Sequence, residues 1–138
     1  MPKALYRFLL GLILLLPFTA QASEAEYFAT AKPNDQARLL QDWAAQPDPA
    51  RLALLTSLQQ GRISPDDSRK LRLNNRLRGL VDNALAAHQL LSADAAVRLQ
   101  AAQQLQKSAQ PAQVAFLDRQ FAQEKDSSVH AALGLALA

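Results

Sequence analysis

The sequence predicts an all-α fold of antiparallel helix pairs, on three observations. Apolar residues recur at helical spacing throughout residues 23–138, with no sustained alternation of the kind a half-buried strand shows. Segments repeat at fixed offsets: a shift of 62 lays Pro49-Ala-Arg-Leu-Ala-Leu-Leu on Pro111-Ala-Gln-Val-Ala-Phe-Leu and brings Leu39 and Trp43 over Ala101 and Leu105. Residues that start and stop helices punctuate the chain at intervals that fit those repeats.

Residues 1–22 stand apart. Lys3 and Arg7 flank the start of an apolar run from Phe8 to Phe18, which Pro17 breaks before small residues take over. This is the layout of a signal peptide, and Ala20-Gln21-Ala22 supplies its small-x-small cleavage pattern. The expected mature chain starts at Ser23 and works in the periplasm. The apolar run is far shorter than the roughly 20 residues that span a bilayer, and no later stretch approaches that length. A chain of this kind cannot form a channel or permease by itself.

Within residues 23–138, Asn34 is placed to cap a first helix running to about Gln46. Asp48 before Pro49 is an N-cap with proline at the first helical position, and Gly61 stops that second helix. Residues 62–70 have turn chemistry and no period, so they read as the one substantial loop. A third helix starts at Asn74 or Asn75 and runs to Leu91, and Ser92 is placed to cap a fourth over 93–107. Ala109-Gln110-Pro111 opens a fifth over 111–124, and Asp126 or Ser127 opens a sixth.

A second offset, of 32, lays Asp94, Val97, Ala101 and Leu105 on Asp126, Val129, Leu133 and Leu137, with Arg98 falling on His130. The repeating unit is therefore a helix pair, which cannot bury its apolar face alone and must stack on neighbours. The expected architecture is a short HEAT-like helical repeat. Its stripes are Val97, Ala101 and Leu105, then Val114, Leu117 and Phe121, then Val129, Leu133 and Leu137. Trp43 and Leu77 join Val97, Leu105, Leu117, Phe121, Val129 and Leu133 as the expected core.

The chain has no Cys, so neither disulfides nor thiolate chemistry enter, and packing alone must hold an exported fold. Fifteen Lys and Arg oppose twelve Asp and Glu. Once Lys3 and Arg7 leave with the signal that excess nearly vanishes, and only local charge can point to a partner. Local charge is uneven: Arg62, Arg69, Lys70, Arg72, Arg76 and Arg78 lie together, opposed by Asp66 and Asp67.

The block Leu73-Asn-Asn-Arg-Leu-Arg-Gly79, then Ala84-Leu85, Asp94-x-x-Val97-Arg98-x-x-Ala101-Ala102-x-x-Leu105 and Glu124-x-Asp126-x-x-Val129, resembles the N-terminal exported region of the urea ABC transporter permease subunit. That family is in turn similar to the branched-chain amino acid permeases. The resemblance implies a helical domain outside the inner membrane, ahead of a permease that works with ATPase subunits, a second permease and a periplasmic urea-binding protein. Residues 61–71 are shorter than the family's pattern, and residues 23–138 hold no membrane-spanning stretch. The apolar run from Ala132 to Ala138 has neither C-cap nor polar closing face. The expectation is a truncated fragment or stand-alone remnant, prone to self-association through its last helix.

Catalysis has little to work with. His88 and His130 sit in different helices without a second ligand at metal spacing. His88 shares a face with Leu77, Val81, Ala84 and Leu91 and reads as a core-edge histidine with one satisfied ring nitrogen; His130 takes the arginine position of its repeat. Asp66-Asp67 on a solvated loop lacks the burial that separates the pKa values of an acid–base pair. Gly61, Gly79 and Gly134 form no phosphate loop. No enzyme, metal or cofactor is expected.

Arg69, Lys70, Arg72, Arg76 and Arg78 are the expected contact residues, for an acidic protein surface or anionic lipid headgroups. Arg72 and Arg76 lie one turn apart at the start of helix three, where the helix dipole disfavours cations. No aromatic residue interleaves them, which argues against nucleic acid. Two functions follow: a non-catalytic interaction domain of a urea-type uptake system, touching the permease or the binding protein, or an independent exported HEAT-like adaptor unrelated to transport.

Overall fold

The computed structural model of the protein describes residues 24–64 and 70–138, and these are helical with no strand among them. Residues 1–22, the expected signal peptide, and the loop residues Asp66, Asp67 and Arg69 lie outside the described residues. Helix α1 covers residues 24–30, which the periodicity reading missed. It is followed by α2 (Pro33–Ala45), α3 (Leu52–Gln59), α4 (Asn75–Gln89), α5 (Ala95–Ser108), α6 (Val114–Gln123) and α7 (Ser127–Leu137). Short 3-10 turns, Pro49–Arg51 and Pro111–Gln113, lead into α3 and α6.

Each boundary has a local cause. Asp48 accepts from the Ala50 amide at 3.0 Å, Asn74 from the Leu77 amide at 2.8 Å, and Asp126 from Ser128 and Val129 at 2.9 and 3.0 Å. These are side chains satisfying amides that a helix start leaves unpaired. Two expected caps move. Pro33 opens α2 with Lys32 ahead of it and no side-chain cap, so Asn34 lies inside the first turn. Asp94, rather than Ser92, caps α5 through the Ala96 amide at 2.9 Å, while Ser92 Oγ accepts from the Asp94 amide.

Gly61 ends α3 as the sequence requires. Its φ of 78° is left-handed, its amide donates to the Leu58 carbonyl, and the Arg62 amide reaches back to Ser57 at 2.8 Å. That double closure is a Schellman cap, which a residue with a Cβ adopts only under strain. Beyond it the Gly61 carbonyl accepts from the Leu71 amide at 2.8 Å, and Arg62 bridges Lys70. The loop is thereby closed at its neck.

Helix α4 organises the packing. Its first half, through Leu77, Leu80, Val81, Ala84 and Leu85, enters a core with Phe28, Leu40, Trp43, Leu55 and Leu58. Its second half, through Ala86, Ala87 and Leu90, enters another with Ala101, Leu105, Phe116, Leu117, Val129 and Leu133. Both α2 and α3 pack on α4, both α5 and α6 pack on α7, and α4 meets α5. The two helices of each sequence repeat, α2 with α3 and α5 with α6, touch each other less than they touch a third helix.

Most expected core residues are buried: Trp43, Leu77, Leu105, Leu117, Val129 and Leu133. Phe121 is half-buried against the second core. Val97 is half-exposed on a surface depression with Leu52 and Leu91, and Val114 is exposed. The reason is angular: the buried face of α5 turns on Ala101, Ala102 and Leu105, so a stripe at i, i+4, i+8 drifts off it within two turns. In α7, Val129 and Leu133 are covered by α5 and α6, whereas Leu135 is exposed.

Candidate interaction surface

The block Leu73–Gly79 divides by direction. Leu73 and Leu77 are buried in the first core, Asn74 caps the helix, and Arg76 and Arg78, with Arg72 just ahead of the block, stand exposed. The apolar members hold the cationic ones in place. Arg72 and Arg76 do not share one helix, because Arg72 precedes the Asn74 cap and lies outside α4. Lys70 is exposed beside the loop neck. None of these four forms an ion pair among the described residues; the ion pairs there are Arg51–Glu24 and Arg98–Glu124.

Arg76 faces a groove of about 460 Å³ between α2, α4 and the end of α5. Residues 76, 79, 80 and 83 line it from α4, one face at i, i+3, i+4 and i+7. Gln41 contributes from α2, and Lys107, Ser108 and Gln110 from the far side. Arg78 points elsewhere, since two residues turn a helix through about 200°.

Beneath the groove lies a polar joint that sequence reasoning missed. Asn83 is 2 % exposed and Gln113 is 1 % exposed. The Asn83 amide donates to the Ser108 carbonyl at 2.8 Å and to Gln113 Oε1 at 3.0 Å. Gln113 Oε1 also accepts from the Gln110 amide at 2.9 Å, and its Nε2 donates to the Ala44 carbonyl at 3.3 Å. Four segments are thus tied by two side chains, and every bond satisfies a group that burial would otherwise leave unpaired. The repeat gave no signal of it. Gln113 falls on Arg51 under the 62 offset, and Arg51 does something unrelated: it pairs with Glu24 at 3.3 Å and lies 5.0 Å from the Trp43 ring.

Arg98 grips the α6–α7 connection. Its Nε and a terminal nitrogen donate to the two Glu124 oxygens at 2.9 and 3.0 Å, and its other terminal nitrogen donates to the Ser92 and Ala93 carbonyls. The paired hydrogen bond holds the Glu124 carboxyl below its ordinary range and raises Arg98 above its own. His130, at the matching repeat position, stacks on Phe121 with ring centroids 3.9 Å apart. It does not reproduce the arginine's bridge.

His88 is buried with both ring nitrogens engaged, one more than the sequence reading allotted. Nδ1 lies 2.8 Å from the Ala84 carbonyl and Nε2 accepts from the Asp48 amide at 3.2 Å. This assigns the neutral tautomer with the proton on Nδ1. Burial pushes its pKa below the ordinary 6.5, with Arg51 acting in the same direction and Ala84 and Asp48 against it. The folded chain therefore takes up the proton less readily than the unfolded one. The stability from this group is complete above the unfolded value and is lost as pH falls through it towards the lowered folded value. Between about pH 8 and pH 5, the melting temperature should fall more for the native chain than for His88→Gln, as thermal melts across pH will show. Equal slopes would remove His88 from the acid response.

Among the described residues no group of three or more His, Asp or Glu is placed to hold a metal ion. No described helix is long and apolar enough to cross a membrane. Compared with family models, with curated proteins and with solved structures, the chain matches none.

Proposed function

We propose that this chain is a non-catalytic, exported helical domain that supports urea uptake by contact with a membrane permease or its binding protein. One observation carries the reading. In Leu73–Gly79, the block most specific to the permease resemblance, the leucines and the capping asparagine serve the fold, while Arg76 and Arg78, and Arg72 just ahead of the block, are exposed and unpaired among the described residues. Three guanidinium groups on so short a segment cost helix stability near an N-terminus, where the dipole opposes them. A partner with carboxylates offsets that cost.

The signal sequence and the stacked, HEAT-like repeat belong to the same reading, since helical repeats offer extended surfaces rather than catalytic clefts. The test is uptake of radiolabelled urea by cells of the source organism. Deleting the gene should lower uptake, the native chain should restore it, and Arg72→Glu with Arg78→Glu should restore it poorly while keeping a native circular dichroism spectrum. Uptake indifferent to the deletion would sink the transport reading and leave an independent adaptor.

A further inference from the structure

The groove between α2 and α4 has the make-up of a peptide site. Arg76 and Lys107 put two cations on its walls, and no carboxylate lines it. Gln41, Asn75 and Gln110 add side-chain amides, each able to donate and accept at once as a peptide backbone requires. Asn83, 2 % exposed and lining the groove, spends its NH2 on Ser108 and Gln113, while its Oδ1 accepts no bond among the described residues and is not fully buried. That acceptor is held rigidly by the joint below it. Gly79 widens the opening: a Cβ built there meets nothing within 4 Å.

We propose that this groove binds an acidic, extended peptide segment of a partner protein. The carboxylates pair with Arg76 and Lys107, and the backbone amides pair with the side-chain amides between them. A volume of about 460 Å³ suits a short run of residues and falls within the range of ordinary ligand pockets. An anionic lipid headgroup would satisfy the cations but leave the row of amides without matched donors and acceptors. The proposal rests on the docking reading above and names the chemistry of the element docked.

The experiment is selection of random short peptides, displayed on phage, against the immobilised full chain. The expected survivors are rich in Asp and Glu, and their binding weakens with salt. A synthetic survivor should bind roughly tenfold more weakly to Lys107→Glu and to Gly79→Leu, and with unchanged affinity to Arg119→Glu, a charge reversal on exposed α6. Gly79→Leu is the decisive variant, since its Cβ meets nothing within 4 Å, its side chain projects into the groove, and it replaces the poorest non-proline helix former with a good one. Its melting temperature should not drop, so lost binding cannot be lost folding. Survivors without acidic enrichment, no survivors, or equal binding to Gly79→Leu would overturn the proposal. So would phosphatidylglycerol vesicles that bind the native chain but not Gly79→Leu, with no peptide selected. Urea uptake that responds to Arg72 and Arg78 alongside a barren selection would spare the transport reading and reject the peptide groove alone.

Discussion

Leu105→Ala is expected to destabilise the protein by on the order of 2–5 kcal/mol, the cost of lost apolar transfer plus an unfilled cavity. Leu105 is fully buried, in a core that α4, α5, α6 and α7 all enter. Closing the void would require several helices to move together, so relaxation is limited and the upper part of that range applies. In a domain of this size roughly 4–8 °C of melting temperature follows each kcal/mol, so a thermal melt resolves the effect easily. Leu135→Ala is the control: the same atoms leave a side chain that is 65 % exposed, and the change should stay within about 0.5 kcal/mol. Similar losses at the two positions would mean that the second core is not where the packing places it.

The second large effect belongs to the polar joint. Gln113→Leu removes one acceptor of the Asn83 NH2, which keeps Ser108, together with the side-chain partner of the Gln110 amide and of the Ala44 carbonyl. Each buried group left unpaired costs about 1–3 kcal/mol, so the single variant should lose several kcal/mol despite its apolar gain. Asn83→Leu alone should also destabilise, because it strips Gln113 Oε1 of one donor and the Ser108 carbonyl of another. The double variant should lose less than the two singles added together, since two apolar side chains facing each other leave fewer orphaned groups. Chemical denaturation of all four proteins closes the cycle. Strict additivity would show that Asn83 and Gln113 act independently and that the joint is not a unit.

The failures of the sequence reading have a common origin. Asp48, Gly61, Asn74 and Asp126 were legible because a cap is decided within three or four residues of its own position. Asn34 and Ser92 lost to neighbours offering better geometry, Pro33 at the first helical position and Asp94 two residues later. Helix α1 was missed because Phe28, its one fully buried side chain among the described residues, carries no periodic stripe. Phe28 reaches the core by tilting onto Trp43, with ring centroids 5.8 Å apart, and by lending its carbonyl to Gln36 Nε2 at 2.9 Å. Both partners are remote along the chain.

Composition, period and punctuation by themselves determined the helical class, most helix boundaries and the leucines that must be buried, because each depends on spacing within a few turns. They also marked Arg72, Arg76 and Arg78 as members of a cationic cluster opposed by Asp66 and Asp67. What only the tertiary structure decided was the company those residues keep. It split the arginines between a groove and open surface, moved Val97 out of the core, engaged the second nitrogen of His88 with Asp48, and joined Asn83 to Gln113 across four segments. Hydrogen bonds between positions 30 or 40 residues apart follow from how helices cross, and no local pattern in one chain records that crossing.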